Sequence, residues 1–136
     1  MKDLKTITIL FRCVDRLQSE ISFSVNETGL SLSSFMALEA LYHKGPLNVA
    51  QLKNKVLIAN SSLSYVIEQL ALKDLIQIES DNQDRRRKFC ALTLKGRHLM
   101  NEIYPKHVVD QRKRLDRLTQ EEEIQLQKLL KKIGLE

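Results

Sequence analysis

Apolar side chains return every three or four residues from the start of the chain: Leu4, Ile7, Phe11, Val14, Leu17 and Ile21. That spacing predicts a long amphipathic helix over residues 2–27. Its apolar seam must be covered, either by its own domain or by a partner subunit. Gly29 marks a break, and Ser31 is placed to cap a second helix whose apolar face is Phe35, Leu38, Leu41 and Tyr42. Gly45-Pro46 ends that helix. Asn48 opens a short third helix, and Gln51 three residues on makes a capping-box arrangement. Val49, Leu52 and Val56 are its expected inward residues.

Asn60-Ser61-Ser62 then starts a fourth helix, running to about Lys73, with Leu63, Val66, Ile67 and Leu70 inward. Asp74 closes it, and a strand is expected over Leu75–Ser80. A turn-rich, arginine-rich tip leads to a second apolar run, Phe89-Cys90-Ala91-Leu92. Thr93 caps a long helix carrying Leu99, Met100, Ile103 and Val108, which Pro105 should kink or divide. Thr119 and Glu122 form a capping box for a last helix bearing Ile124, Leu126, Leu129, Leu130 and Ile133, with Gly134 as its C-cap.

The order predicts a mainly α protein with a small β-hairpin. Two short helices joined by a tight turn, about 48–73, read as a helix-turn-helix. The hairpin after them, about 75–93, reads as a wing. Residues 31–93 together predict a winged helix-turn-helix lobe, flanked by long helices in 2–30 and 94–134.

Composition narrows this further. The chain has 136 residues, enough for one domain with helical arms but not for two cores. Hydrophobic residues make up 43% and charged residues 29%, which excludes a disordered chain. Four glycines, two prolines and no tryptophan favour helices over a sandwich or barrel. The net charge of +5 suits a polyanionic partner. Two distant cysteines, Cys13 and Cys90, make no disulfide framework. The first thirty residues are charged throughout, unlike a signal peptide. No apolar run approaches the ~20 residues that span a bilayer. A soluble cytoplasmic protein without membrane or cofactor is the expectation.

The candidate chemistry lies at two places. Ser61, Ser62, Ser64 and Tyr65 stand in the first turn of the predicted recognition helix. Small hydroxyls allow close approach to bases and phosphates, and the helix N-terminus favours an anion. Asn60 and Ser61 also serve as caps, a role that needs neither Ser64 nor Tyr65. The wing tip carries Arg85, Arg86, Arg87 and Lys88. Alternate strand residues face opposite sides, so these four cannot all enter one groove. Arginine is favoured in a narrow A·T-rich minor groove. The Asp84 carboxylate is placed to hold a guanidinium and orient the tip. A merely solubilising tip is disfavoured, because neighbouring like charges repel. A second basic block, Arg112-Lys113-Arg114 with Arg117, reads as a solvated helix face.

Other chemistry is poorly represented. His43, His98 and His107 are too far apart for a metal motif. No nucleophile–base pair or phosphate loop points to an enzyme. Cys13, between Arg12 and Arg16, is either an oxidant sensor or a small apolar residue, and Cys90 reads as structural.

The wing pattern Asp81-x-x-Asp84-x-Arg86, followed by Leu92-Thr93-x-x-Gly96, resembles the MarR family of bacterial transcription regulators. So do Leu30-Ser31-x-x-x-Phe35-x-x-Leu38, Gly45-Pro46-Leu47-x-Val49-x-x-Leu52 and Ser61-Ser62-Leu63-Ser64-x-Val66-x-x-x-Leu70. The resemblance implies a homodimer through the outer helices, acting as a repressor on a pseudo-palindromic operator in double-stranded DNA. It places Ser61, Ser62, Ser64 and Tyr65 at bases and phosphates, Arg86 in the minor groove and Asp84 as its acidic partner. It also implies a small-molecule effector pocket between the dimer helices and the DNA-binding lobe. The chain departs from the family at Asp74, where glycine is usual, and at Lys53-Asn54, where a small residue is common. A winged helix used for protein–protein contact is the alternative, against which the serines and wing arginines argue.

Overall fold

Helix α1 (Lys5–Asn26) leads to α2 (Leu32–Lys44), in a computed structural model that describes residues 1–56 and 62–135. A two-residue strand β1 (Leu47–Asn48) precedes α3 (Val49–Lys55) and α4 (Leu63–Leu72). The hairpin strands β2 (Ile76–Ser80) and β3 (Lys88–Leu92) follow, then α5 (Leu94–Leu115) and α6 (Gln120–Gly134). The chain divides into two compact units, Met1–Tyr104 and Pro105–Glu136. Helix α5 continues through Pro105 and is not divided there. Among the described residues no helix is long and apolar enough to cross a membrane.

The helix boundaries follow from local capping. Ser31 accepts from the Ser34 N–H at 3.1 Å and opens α2. Gly45, at φ +78°, closes α2 in a conformation that favours glycine. Asn48 and Gln51 complete a reciprocal capping box on α3, and Thr119 and Glu122 do the same on α6. Gly134 is the last helical residue of α6, and Leu135 rather than Gly134 is the cap.

The wing is larger than a hairpin. Its strands lie in the order β1-β3-β2, both pairs antiparallel. Leu47 and Ile78 flank Cys90 from either side. Cys90 is therefore buried, and burial pushes its thiol above the usual range. In the same unit, Phe35, Leu38 and Leu41 of α2 pack with Leu52, Leu70 and Met100 as the fully buried core. Val49, expected inward, is exposed, because α3 is too short to bury more than Leu52.

One clasp joins α4, the wing and α5. Asp74 takes the left-handed conformation, at φ +59°. The Leu75 N–H donates to Leu70 O and the Asp74 N–H to Ala71 O, each at 3.0 Å. This is the pairing of a Schellman C-cap, with aspartate in the place that glycine usually fills. The Thr93 hydroxyl donates to Asp74 O at 2.6 Å and accepts from the Gly96 N–H at 3.0 Å. The Thr93 N–H donates to Leu75 O at 3.1 Å. Gly96 lies so close that a Cβ there would stand 2.1 Å from Leu75 O. No flexible side chain can relieve that overlap, since the obstacle is backbone.

In the second unit, Arg112 joins α5 to α6. Its guanidinium meets Glu123 at 2.8 Å and also pairs with Asp116. These two carboxylates hold the guanidinium above its usual range. No described residue from 105 onward is buried.

Gly96→Ala should lower stability by about 3 kcal/mol or more, because helix and strand must separate to admit the methyl group. Urea unfolding of the parent and variant measures this, and a loss under about 1 kcal/mol would show that the junction yields easily.

Candidate nucleic-acid interface

The outward face of α4 is set by its inward one. Val66, Ile67 and Leu70 are buried, so Ser64, Tyr65 and Glu68 point outward. Tyr65 is 61% exposed, a large surface for an aromatic side chain in a folded lobe. Ser62 is the N-cap and accepts from the Tyr65 N–H at 3.4 Å. Its oxygen therefore has a structural task, while its hydroxyl hydrogen is available to an outside acceptor. Ser61, like Asn60, lies outside the described residues. Glu68 was not singled out in the sequence, yet it stands one helical turn beyond Ser64 on this same face.

Beside α4, an open hollow of about 480 Å³ separates it from the start of α2. Ser62, Tyr65 and Lys73 line one side and Ser31 the other. The Lys73 ammonium donates to Gly29 O at 3.4 Å and so bridges the two sides.

The wing tip is ordered through its backbone. The Asp81 N–H donates to Arg87 O at 2.9 Å, and the Arg87 N–H to Asp84 O at 3.0 Å. The Asp81 carboxylate accepts from the Gln83 N–H and the Asp84 carboxylate from the Arg86 N–H, each at 3.0 Å. These are aspartate-centred turns, the usual way for that side chain to order a loop. Asp84 thus braces the tip by a backbone bond and not by the guanidinium pair expected from its sequence position. Arg85, Arg86, Arg87 and Lys88 are all exposed. The fold fixes the main chain beneath them and leaves their cationic groups turned to solvent.

The remaining candidates lie elsewhere. Cys13 is an exposed residue of α1 in the single chain. His43 packs edge-on against Tyr104, with ring centres 4.7 Å apart. Tyr42 donates to Asn101 at 2.6 Å, tying α2 to α5. Among the described residues no three metal-binding side chains come together.

The family model of the MarR family matches residues 30–88, the lobe just described. The HTH-type transcriptional regulator MhqR of Bacillus subtilis (strain 168) is 33% identical over 134 residues, covering 98% of this chain and 92% of that protein. This chain belongs to the MarR family. It is a transcription regulator with the family's winged-helix DNA-binding lobe. AbsC, a MarR family transcriptional regulator from Streptomyces coelicolor, shares the fold with a TM-score of 0.85 at 25% identity, over 98% of this chain and 94% of that one. S. aureus MepR in DNA-binding conformation matches with a TM-score of 0.81 at 22% identity, over 93% and 95% of the two chains. At that identity the likeness to MepR is one of fold alone.

Asp84→Ala removes the side-chain acceptor for the Arg86 amide. The Arg86 amide should then exchange its proton about fivefold faster, the equivalent of one modest hydrogen bond, with little change in melting temperature. Hydrogen exchange followed by NMR checks this, and an unchanged rate would deny Asp84 its bracing role.

Proposed function

We propose that this MarR-family chain acts as a homodimeric repressor that reads a pseudo-palindromic site in double-stranded DNA. One observation carries the reading. A tip whose backbone is held by Asp81 and Asp84 presents four exposed cations beside a helix with a small-hydroxyl face. Placed side by side without an anion, these charges repel one another. Phosphates remove that repulsion. In this reading Ser62, Ser64 and Tyr65 of α4, together with Ser61, approach the major groove, and Arg86 enters the adjacent minor groove. Arg85, Arg87 and Lys88 contact phosphates or stay solvated.

The dimer has its own support. Ile7, Phe11 and Val14 of the predicted seam are 41%, 72% and 48% exposed. Leu129 and Ile133 of α6 are 49% and 57% exposed. Single exposed apolar residues are ordinary, but a run at helical spacing along one helix marks a surface that another chain covers. A second copy gives each half-site its own α4 and wing.

Arg86→Ala should weaken binding to the selected operator about tenfold or more, with the dimer and the melting temperature nearly unchanged. Equal affinity of the parent and variant in a gel-shift titration would reject the minor-groove role. Affinity should also fall by about three orders of magnitude between roughly 50 and 200 mM salt, if about six phosphates are neutralised. Phe11→Glu should shift the protein from dimer to monomer in sedimentation velocity. A variant that remains dimeric would remove α1 from the interface.

A further inference from the structure

The outward face of α4 contains an acid. Glu68 lies four residues after Ser64 and three after Tyr65, between the two on a face opposite Val66, Ile67 and Leu70. It is exposed, and among the described residues no hydrogen bond or ion pair engages its carboxylate. A carboxylate here has the wrong sign for a surface that only binds phosphates. Each nearby phosphate repels it, so on a non-specific polyanion site it lowers affinity.

The sign becomes useful only where the groove offers a donor. In the major groove guanine presents O6 and N7 and thymine presents O4, all acceptors that oppose a carboxylate. Adenine offers its N6 amino group, but sets the N7 lone pair beside it. Cytosine offers its N4 amino group with no acceptor of its own next to it on that edge. We infer that Glu68 is a specificity-determining residue, accepting a hydrogen bond from the N4 amino group of one cytosine in each half-site. The inference rests on the proposed reading of α4 as the major-groove element and names the base that its central outward side chain selects. Ser64 and Tyr65, on either side, present neutral hydroxyls that tolerate several base edges. Glu68 supplies the discrimination that they lack.

The test is selection from a pool of random DNA duplexes by the full chain, as parent, Glu68→Gln and Glu68→Ala. Circular dichroism and thermal melting confirm that each variant is folded. The parent should enrich a half-site with cytosine at one position. Glu68→Gln should change that position to adenine, because a glutamine amide can pair with both N6 and N7. Glu68→Ala should lose the preference at that position alone. Competition gel shifts should then show about a 5- to 30-fold fall in discrimination there, the worth of one base-edge contact. The same base profile for all three proteins overturns the inference, as does a loss spread evenly over every position. If the parent itself enriches no sequence, the major-groove reading fails first and the role of Glu68 goes with it.

Discussion

The interface depends on one close approach, that of Gly96 to the Leu75 carbonyl. Leu75 is where the chain leaves α4, and Gly96 is where it settles into α5. The wing is everything between them. Thr93 fastens the two ends, donating its hydroxyl to Asp74 and its amide to Leu75 while capping Gly96. The recognition helix and the wing therefore share one anchor within a few residues. A hairpin held only by its own ladder would swing, since a two-stranded ribbon is marginal alone. Here β1 adds a third strand on one side, and the clasp fixes the base. The arginine tip and the serine face of α4 are thereby held in one geometry before any ligand arrives. Preorganisation of this kind lowers the entropy lost on binding.

The same economy shows in how the aspartates are used. Asp74, Asp81 and Asp84 lie in a segment rich in cations, where ion pairs are easy to imagine. The described contacts of Asp81 and Asp84 are instead with backbone amides. An exposed ion pair contributes little, because water and salt screen it and two long side chains lose freedom. A short side chain that satisfies an amide two residues away costs less entropy and fixes the main chain. It also leaves the guanidinium groups uncommitted, which an anion-binding surface requires.

Much of this was legible in the sequence, for definite reasons. Caps at Ser31, Asn48, Thr93 and Thr119 were readable because capping depends on residue type at fixed offsets, whereas Ser62, the cap of α4, was read only as a DNA contact among three helix-start residues. The inward residues of α2 and α4 were readable from their period. Strand β1 was not, because two residues carry no period and Asn48 already reads as a cap. Val49 was misplaced because a seven-residue helix buries only one side chain here, Leu52. The acceptor role of Asp84 was hidden because sequence cannot tell a carboxylate on an amide from one on a guanidinium. The outward position of Glu68 drew no attention in the sequence because an acid on a helix usually means a solvated face. Its meaning depends on what the face looks toward, which only the packing of Val66, Ile67 and Leu70 fixes.

The bare stripe on α1 bears on how much one side chain of α4 can contribute to recognition. A helix of ten residues reaches few base pairs. Specific binding usually exceeds non-specific binding by about 4–10 kcal/mol, and one mismatched pair costs about 1–3 kcal/mol. A single lobe with one discriminating contact falls short of that range. In the proposed dimer, two-fold symmetry would count each contact twice, so the proposed cytosine contact, at about 1–2 kcal/mol per half-site, would contribute about 2–4 kcal/mol. In that dimer the second lobe would also bind as if at high local concentration once the first is seated. If α1 is the dimer face proposed above, an apolar stripe that looks remote from DNA chemistry sets whether the proposed Glu68 contact is measurable.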